Sequence, residues 1–219
     1  MATIAQSTGT RDLIMDTAEA LFASHGFHAV SMREIAKAAG IHVGSISYHF
    51  ASKEGLLLEI YRRHCRPMNQ RRAELLREAE RIADPDQRLE AILRAYVLPA
   101  FSSGSDLAGG GARFTRLRAM MSAEGNEAVK DVIASTFDAT SHALVDAIGR
   151  CLPDVPRTII VWRCHFLLGA LYYTLVNPER VTRLSHGKAS GDDFDEAVDQ
   201  IILATMAALK APAAPADRP

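Results

Sequence analysis

The stretch from Ser31 to Phe50, SMREIAKAAGIHVGSISYHF, contains the side chains whose types and spacing indicate chemistry most directly. Two short helical patterns flank Gly40, with Ala36 before it and Ile46 after it. Two helices that cross at a steep angle need a small residue at their contact, a glycine in the turn and an apolar anchor under the second helix. The spacing therefore predicts a helix-turn-helix unit.

The outward face of the second helix in this unit has small or hydrogen-bonding side chains. Such a face can approach the wall of a DNA groove, where hydrogen bonds to base edges distinguish one sequence from another. Spacing alone also leaves open a helical hairpin in which these are ordinary surface residues. The residues on this face are His42, Gly44, Ser45, Ser47, Tyr48 and His49.

A different chemistry is open to three side chains in the second half of the chain. His142, Cys164 and His165 could serve a small helical enzyme or a metal-binding protein. These residues lack the spacing of metal ligands, and Cys164 and His165 are adjacent, so they point to different helix faces. We predict no catalytic residue, no metal site and no cofactor, and keep the enzyme or metal-binding protein as the alternative.

The elements that must position these residues are helices. The chain has 219 residues, 48% hydrophobic and 23% charged, with a formal net charge of −1, which excludes a strongly basic protein that binds nucleic acid indiscriminately. Proline and glycine fall between periodic apolar segments, and no alternating strand pattern is present. We predict an all-α fold of about nine helices, with an N-terminal three-helix helix-turn-helix domain and a C-terminal helical bundle.

The helical pattern also predicts domain boundaries. We expect residues 1–10 to form a disordered arm, 11–56 the helix-turn-helix domain, 57–210 a ligand-binding and dimerisation domain, and 211–219 a disordered tail. The segment 158–176 is apolar enough to suggest a membrane span. However, its central Arg163 and His165 would be costly in lipid, so we predict a buried helix and no membrane contact.

The cysteines and the N-terminal sequence indicate the compartment. Cys65, Cys151 and Cys164 form an odd set without a CxxC pair, which is typical of a reducing environment. The first ten residues lack the basic and apolar runs of a secretory signal. We predict a cytoplasmic location.

A combination of short motifs runs from about residue 11 to 60. The motifs read Leu21-Phe22 with Gly26-Phe27, Ser31 with Ile35-Ala36 and Ala39-Gly40-Ile41, Gly44-Ser45-Ile46 with Tyr48-His49-Phe50, and Ser52-Lys53-Glu54. Together they resemble the DNA-binding domain of TetR-family transcriptional regulators, and the resemblance covers about a quarter of the chain.

The resemblance implies a role for each matched position. It implies that Ser31, Arg33 and Lys53 contact phosphates of double-stranded operator DNA, to which helix N-termini also contribute. Two positions depart from the family pattern, because His42 replaces a small hydroxyl residue and Val43 a residue that is often polar or basic. The side chains implied to face base edges or groove walls are His42, Gly44, Ser45, Ser47 and Tyr48, with His49 on the backbone.

The resemblance also implies a homodimeric regulator, here interpreted as a repressor that a small effector releases from DNA. The helices near 158–176 and 194–209 are the candidate dimer interface, because a helix that is apolar all round needs cover on both flanks. Two alternatives stay open: either both helices are packed inside one bundle, or the protein binds DNA without an effector.

Bulky apolar residues in the middle helices are candidates for the effector site, although most of them could also be ordinary core. Methionines and aromatics suit a lipophilic or acyl-type ligand, and nearby Arg113, Arg118 and His165 could orient an anionic head. The candidates are Phe101, Phe114, Leu117, Met120, Met121, Phe137, Trp162, His165, Phe166 and Tyr172.

Overall fold

The computed structural model describes residues 2–101, 111–125 and 127–212, and the regular elements in these ranges are all helices. The predicted all-α fold is therefore confirmed. In chain order the helices are α1 (Ala2–His25), α2 (Met32–Ala39), α3 (Val43–His49), α4 (Lys53–Ala79), α5 (Pro85–Phe101), α6 (Gly111–Glu124), α7 (Glu127–Cys151), α8 (Arg157–Val176), α9 (Pro178–Leu184) and α10 (Phe194–Lys210).

Two helices differ from the sequence prediction. The described ranges contain ten helices rather than about nine, because Pro178 begins α9 instead of only ending α8. Proline suits the first helical positions, where its missing N–H would have had no helical partner. Residues 2–10, expected to form an arm, belong to α1: this segment has no proline, and a single glycine such as Gly9 weakens a helix by only about 1 kcal/mol.

Local capping explains why α2 begins and ends where it does. The Ser31 hydroxyl accepts a hydrogen bond from the backbone N–H of Glu34, whose carboxylate accepts one from the N–H of Ser31. Gly40 ends the helix with φ +66°, a left-handed conformation that favours glycine. Ile35, Ala36 and Ile46 are all buried, as a helix-turn-helix contact requires. The predicted turn is confirmed, and the capping box fixes the beginning of α2.

A single apolar core joins the helix-turn-helix unit to the beginning of the bundle. It contains Phe22, Ile35 and Ile46 from the first helices together with Leu57 and Tyr61 from α4. Four further members come from α6 and α7, namely Phe114, Leu117, Met121 and Phe137. The expected boundary at residues 56 and 57 therefore falls inside α4, in the middle of a continuous core.

Helix α4 is the longest element, with 27 residues, and extends from the helix-turn-helix unit into the bundle. The N-cap Ser52 accepts a hydrogen bond from the N–H of Gly55 at 3.0 Å. Pro67 lies inside the helix, where a proline removes one backbone hydrogen bond and favours a bend.

The second core fills the rest of the bundle. It joins buried residues of α5, α7, α8 and α10, among them Leu93, Ile148, Leu171 and Ile202. Of the expected C-terminal tail, Ala211 and Pro212 are non-helical, and 213–219 lie outside the described residues.

The outer face of α8 does not match the predicted buried helix. Its large apolar side chains on that face, Val161, Trp162, Phe166 and Tyr173, are between 49% and 63% exposed. By length and composition alone, Arg157–Val176 is also the helix that could cross a membrane within the described part of the chain. A helix with apolar residues on nearly every side does not reveal which side packs within its own chain, so the prediction of a buried helix was wrong for a single chain.

A buried carboxylate connects α1 to α4. Glu19 is 3% exposed, and its Oε2 accepts a hydrogen bond from Arg63 Nη2 at 2.7 Å. The Nε2 of His64 lies 2.7 Å from the same oxygen. Burial raises the pKa of Glu19, but hydrogen bonds and charges from His64 and Arg63 outweigh burial and lower that pKa below 4.5. The carboxylate therefore stabilises the native packing of these two helices at neutral pH.

We predict that Glu19→Gln lowers the free energy of unfolding at pH 7 by about 2 to 3 kcal/mol, because it leaves buried donors without their charged acceptor. A carboxyl whose folded pKa is lowered contributes stability above its unfolded pKa of about 4.5 and loses that contribution as the pH falls through the folded pKa. The difference from wild type should therefore shrink at pH 3.5. Urea unfolding followed by circular dichroism measures both values.

Asp16→Asn is the matched control for Glu19→Gln. Asp16 pairs with the same Arg63 at 2.7 Å, but its side chain is 59% exposed. We expect its loss to cost less than about 1 kcal/mol. An equal cost for both variants, or a Glu19→Gln effect that persists unchanged at pH 3.5, would contradict the assigned role of the buried carboxylate.

Candidate nucleic-acid interface

Helix α3 has one buried and one exposed face. Ile46 is fully buried and anchors the helix, and Phe50 at its C-terminal end is 3% exposed. On the other side Tyr48 is 83% exposed, and its ring lies edge-on to that of His49 with centroids 5.1 Å apart. An aromatic side chain this exposed on a short, well-anchored helix is available for contact with another molecule.

The structure brings the predicted groove-facing residues together on α3 and its N-cap. His42 is the N-cap residue and makes no side-chain cap hydrogen bond, so its imidazole is not used by the helix. No atom within 4 Å would meet a Cβ at Gly44. The exposed members are His42, Gly44, Ser47 and Tyr48, while Ser45 and His49 are half-buried.

Ser31 and Arg33 lie at the exposed N-terminal end of α2. The Ser31 hydroxyl already accepts a hydrogen bond from Glu34 N–H, so it has a structural partner in the absence of DNA. The capped end of a helix still presents backbone N–H groups and the positive end of the helix dipole. Their placement suits phosphate contact, which stays a prediction for both residues.

Lys53 occupies a different environment from the one its predicted phosphate role implies. Its ammonium donates hydrogen bonds to the backbone carbonyls of Phe27 and Val30, each at 2.9 Å, and lies 4.2 Å from the centre of the Phe27 ring. Two of its three N–H groups are therefore used inside the protein. The lysine holds the turn between α1 and α2, and one donor is left for a phosphate.

A second helix of the bundle contacts the same turn. Glu124, near the C-terminus of α6, accepts a hydrogen bond from Phe27 N–H at 3.0 Å through Oε1. Its other oxygen lies 3.9 Å from His28 Nε2. Gly26 has φ +82°, and a Cβ there would overlap the Glu124 carboxylate. A glycine is required at this position both for the backbone conformation and for the approach of α6.

The ten residues predicted for the effector site do not form one site. Phe114, Leu117, Met121 and Phe137 are packed in the first core, and Phe101 lies in the second core against Phe194, with ring centroids 5.7 Å apart. A core residue and a pocket residue have the same sequence pattern, so the sequence could not separate them. The remaining five are on or near the surface, with Trp162, His165 and Phe166 exposed and Met120 and Tyr172 half-buried.

Sequence reasoning missed a cavity of about 350 Å³ between α4, α5 and α7. Leu76, Ile92 and Leu144 give it an apolar wall, while Arg72 and Tyr96 add polar groups. A volume of this size is within the range of small-molecule sites. Small residues of α7 leave the space, and the signal that could have revealed it is their helical spacing at Ala139, Thr140 and Ala143.

The residues of the alternative function lie together but do not form a metal site. His142, Cys164 and His165 line a smaller cavity of about 260 Å³. Among the described residues, no group of three metal-binding side chains is close enough to hold an ion. Burial raises the pKa of the Cys164 thiol to about 11, which disfavours the thiolate that metal binding or nucleophilic attack needs.

A groove of about 640 Å³ runs between α8 and α10 on the outside of the chain. Phe166, which is 63% exposed, lies on its wall together with small residues such as Ala170, Ala204 and Ala208. Arg163 connects the two helices by donating hydrogen bonds to the carbonyls of Leu209 and Ala211 at 2.8 Å each. The two helices are therefore joined side by side along this groove.

The chain matches two sequence-family models. Residues 14–60 match "Bacterial regulatory proteins, tetR family", and residues 94–208, more than half of the chain, match "Tetracyclin repressor-like, C-terminal domain". The HTH-type transcriptional repressor KstR2 of Rhodococcus jostii is 47% identical over 55 residues, which are 25% of this chain and 27% of that protein. The similarity thus spans about a quarter of that curated relative.

Solved structures extend the likeness to most of the chain. A TetR-family transcriptional regulator from Bordetella parapertussis has a TM-score of 0.63 at 20% identity, covering 87% of this chain and 93% of that one. A protein from Saccharomonospora viridis, described as a transcriptional regulator and solved in complex with choline, has a TM-score of 0.61 at 20% identity, with 90% and 96% covered. At this identity the neighbours support the fold.

We predict that Lys53→Met destabilises the protein in the absence of DNA by about 1.5 to 3 kcal/mol, because two carbonyls lose a charged donor. Arg33→Met is the control, since Arg33 is exposed and we expect its loss to change stability by less than about 0.5 kcal/mol. Thermal and urea unfolding of the DNA-free variants measure both effects. Equal stability of the two variants would show that the Lys53 contacts contribute nothing to the turn.

Proposed function

The chain belongs to the TetR family of non-enzymatic, DNA-binding transcriptional regulators, and we propose that it is a cytoplasmic repressor released from its operator by a small effector. The observation that carries this proposal is the face of α3, where Tyr48 is 83% exposed on a helix fixed by buried Ile46. His42, Ser45 and Ser47 add hydrogen-bonding groups to the same element, and Gly44 permits close approach to a groove wall.

A homodimer gives two such helices to one operator. Helix-turn-helix proteins read two half-sites about 34 to 36 Å apart, and a dimer matches this spacing through its own two-fold symmetry. We propose that the surface formed by α8 and α10 is the dimer interface. Trp162 and Phe166 give it exposed aromatic groups, which are typical anchors in protein interfaces. A second copy would cover the apolar face that this chain leaves open.

The effector is proposed to bind in the cavity between α4, α5 and α7. This placement would connect the ligand to the DNA-binding unit, because α4 begins at Lys53, which holds the carbonyls of Phe27 and Val30. Helix α6 reaches the same turn through Glu124. A shift of either helix would move the turn and change the separation of the two recognition helices. A coupling free energy of about 1 to 3 kcal/mol changes operator affinity by about 5- to 150-fold.

The lining of the cavity supports a lipophilic or acyl-type effector. Leu76, Ile92 and Leu144 present hydrocarbon to the space, and Ala95, Ala139 and Ala143 widen it. An apolar wall of this kind gains binding free energy from the hydrophobic area that the ligand buries.

A binding assay on the DNA that flanks the gene, repeated with candidate ligands, tests both the operator binding and its release by an effector. An operator complex that is indifferent to every ligand would support the alternative of an effector-independent DNA-binding protein.

We predict that Tyr48→Ala lowers affinity for the operator by at least tenfold without changing the melting temperature, because the exposed ring makes no core contact. Tyr48→Phe keeps the ring and separates its contact from the hydrogen bond of the hydroxyl. Fluorescence anisotropy with operator DNA and with an unrelated duplex distinguishes specific from non-specific binding. Unchanged operator affinity of Tyr48→Ala would overturn the assignment of α3 as the recognition helix.

A charge on the outer face of α8 tests the dimer. We predict that Phe166→Glu produces monomers at micromolar concentration, because two carboxylates would be placed in a buried apolar interface. Leu13→Glu is the control, since Leu13 is 44% exposed on α1, outside the proposed interface. Sedimentation velocity measures the mass of each variant. A Phe166→Glu variant that remains dimeric would exclude this surface.

A further inference from the structure

Two arginines are buried inside the bundle, and one of them, Arg72, lines the proposed effector cavity. Arg72 on α4 is 2% exposed and Arg118 on α6 is 3% exposed. Among the residues whose side chains the structure describes, no carboxylate forms an ion pair with either guanidinium. Buried charges in proteins are normally paired, because the desolvation of an unpaired charge costs several kcal/mol. This pair is therefore the exception that requires an explanation.

Aromatic rings rather than acids surround the two guanidinium groups. The guanidinium carbon of Arg72 lies 4.0 Å from the centre of the Tyr96 ring and 6.0 Å from that of Phe137. That of Arg118 lies 3.5 Å from Phe137 and 5.7 Å from Tyr172. Both cations thus contact the same phenylalanine and are close to each other. Aromatic faces stabilise a cation partly, but they supply no negative charge.

Several polar atoms in this region lack a hydrogen-bond partner. Arg72 Nε donates to the carbonyl of Tyr96 at 3.0 Å, whereas its buried Nη1 has no partner. The Nε of Arg118 and the hydroxyl groups of Tyr61 and Thr115 are also buried without one. Thr115 lies one turn before Arg118 on α6, and Tyr61 lies three turns before Arg72 on α4. Most of these atoms are hydrogen-bond donors. A ligand group with several acceptor oxygens would give them partners.

The charge of Arg72 persists at neutral pH despite burial. Burial lowers the pKa of Arg72 to about 10, and the positive charge of nearby Arg118 also acts to lower it. A value of about 10 keeps the guanidinium protonated in the cell. The wall of the cavity beside Leu76 and Ile92 thus includes a guanidinium group that is charged at neutral pH.

We propose that the effector is an amphiphile with an anionic head, a carboxylate or a phosphate, which binds Arg72 and Arg118 while its apolar body fills the cavity beside Leu76, Ile92 and Leu144. This inference rests on the effector site proposed above and adds the charge of the ligand. Guanidinium groups match the geometry of both anions and bind them by paired hydrogen bonds. The head would accept hydrogen bonds from N–H groups of the two arginines that have no partner within the described part of the protein.

A cationic ligand does not fit this site. Choline, the ligand of the Saccharomonospora viridis protein, carries a permanent positive charge. In this chain a quaternary ammonium group in the cavity would meet Arg72 at close range with no described carboxylate to offset the repulsion. The shared fold therefore does not imply a shared ligand charge.

Isothermal titration calorimetry on the full chain tests the proposal with four probes built on eight-carbon chains: octanoate, octyl phosphate, 1-octanol and octyltrimethylammonium, each below its micelle concentration. We expect at least one anion to bind ten times more tightly than 1-octanol, and no binding of the cation. Comparison of octanoate with octyl phosphate identifies the preferred head. Failure of both anions to bind, or 1-octanol binding as tightly as they do, would overturn the proposal.

Variants distinguish anion binding by the two arginines from a general loss of ligand binding. Arg72→Met should weaken binding of the preferred anion at least tenfold and leave 1-octanol unaffected, because a charge-assisted hydrogen bond is lost while the apolar wall remains. Arg118→Met is the second variant, should the first fail to fold. Arg71→Met is the control, because neighbouring Arg71 pairs with Glu74 on a more exposed part of α4. A folded Arg72→Met protein that binds the anion like wild type would refute the assignment.

Operator binding in the presence of the anion separates this inference from the proposed function. If the anion binds through Arg72 but leaves the operator complex intact, the anionic site stands and its effector role fails. If only neutral or cationic ligands release the operator, the effector role stands and the anionic head is refuted. If the anion releases wild type from DNA at concentrations that leave Arg72→Met bound, both are supported.

Discussion

The turn between α1 and α2 is held from two sides by charged side chains, and the position of the DNA-binding unit depends on these contacts. Lys53 binds the carbonyls of Phe27 and Val30, and Glu124 binds the N–H of Phe27. One contact comes from the N-terminus of α4 and the other from the C-terminus of α6. Both helices continue into the bundle and lead to Arg72 and Arg118. The short turn between α1 and α2 is therefore contacted by both α4 and α6, the two helices whose arginines would bind the proposed ligand.

The two halves of the chain differ in how far the sequence predicts them. In the helix-turn-helix unit the local signals agree with one another: Ser31 with Glu34 forms the capping box, Gly40 takes the left-handed cap, and Ile46 is the buried anchor. Such signals act over a few residues, so they can be recognised in the sequence. Lys53 shows the limit, because its carbonyl partners at Phe27 and Val30 are distant in the sequence and backbone acceptors have no sequence signature.

The bundle is much harder to predict, because the same apolar residue types form core, cavity wall and exposed surface there. Phe114 is fully buried and Phe166 is 63% exposed, although both stand in helical apolar patterns. The cavity arises from what α7 lacks, since small side chains at Ala139 and Ala143 leave space. Arg72 is preceded by Arg71 in a charged stretch that reads as solvated surface. Only the packing of α5 and α7 against α4 shows that one of these neighbouring arginines is buried.

Pro67 divides α4 into two arms of unequal length. It lies 5 residues from Arg72 and 14 from Lys53, or about 7.5 Å and 21 Å along a helix that rises about 1.5 Å per residue. If α4 tilted as one rigid rod about the position of Pro67, a sideways displacement of about 1 Å at Arg72 would become about 3 Å, in the opposite direction, at Lys53. The arm on the DNA side is the longer one. In that geometry a small movement at the buried arginine is amplified at the turn between α1 and α2.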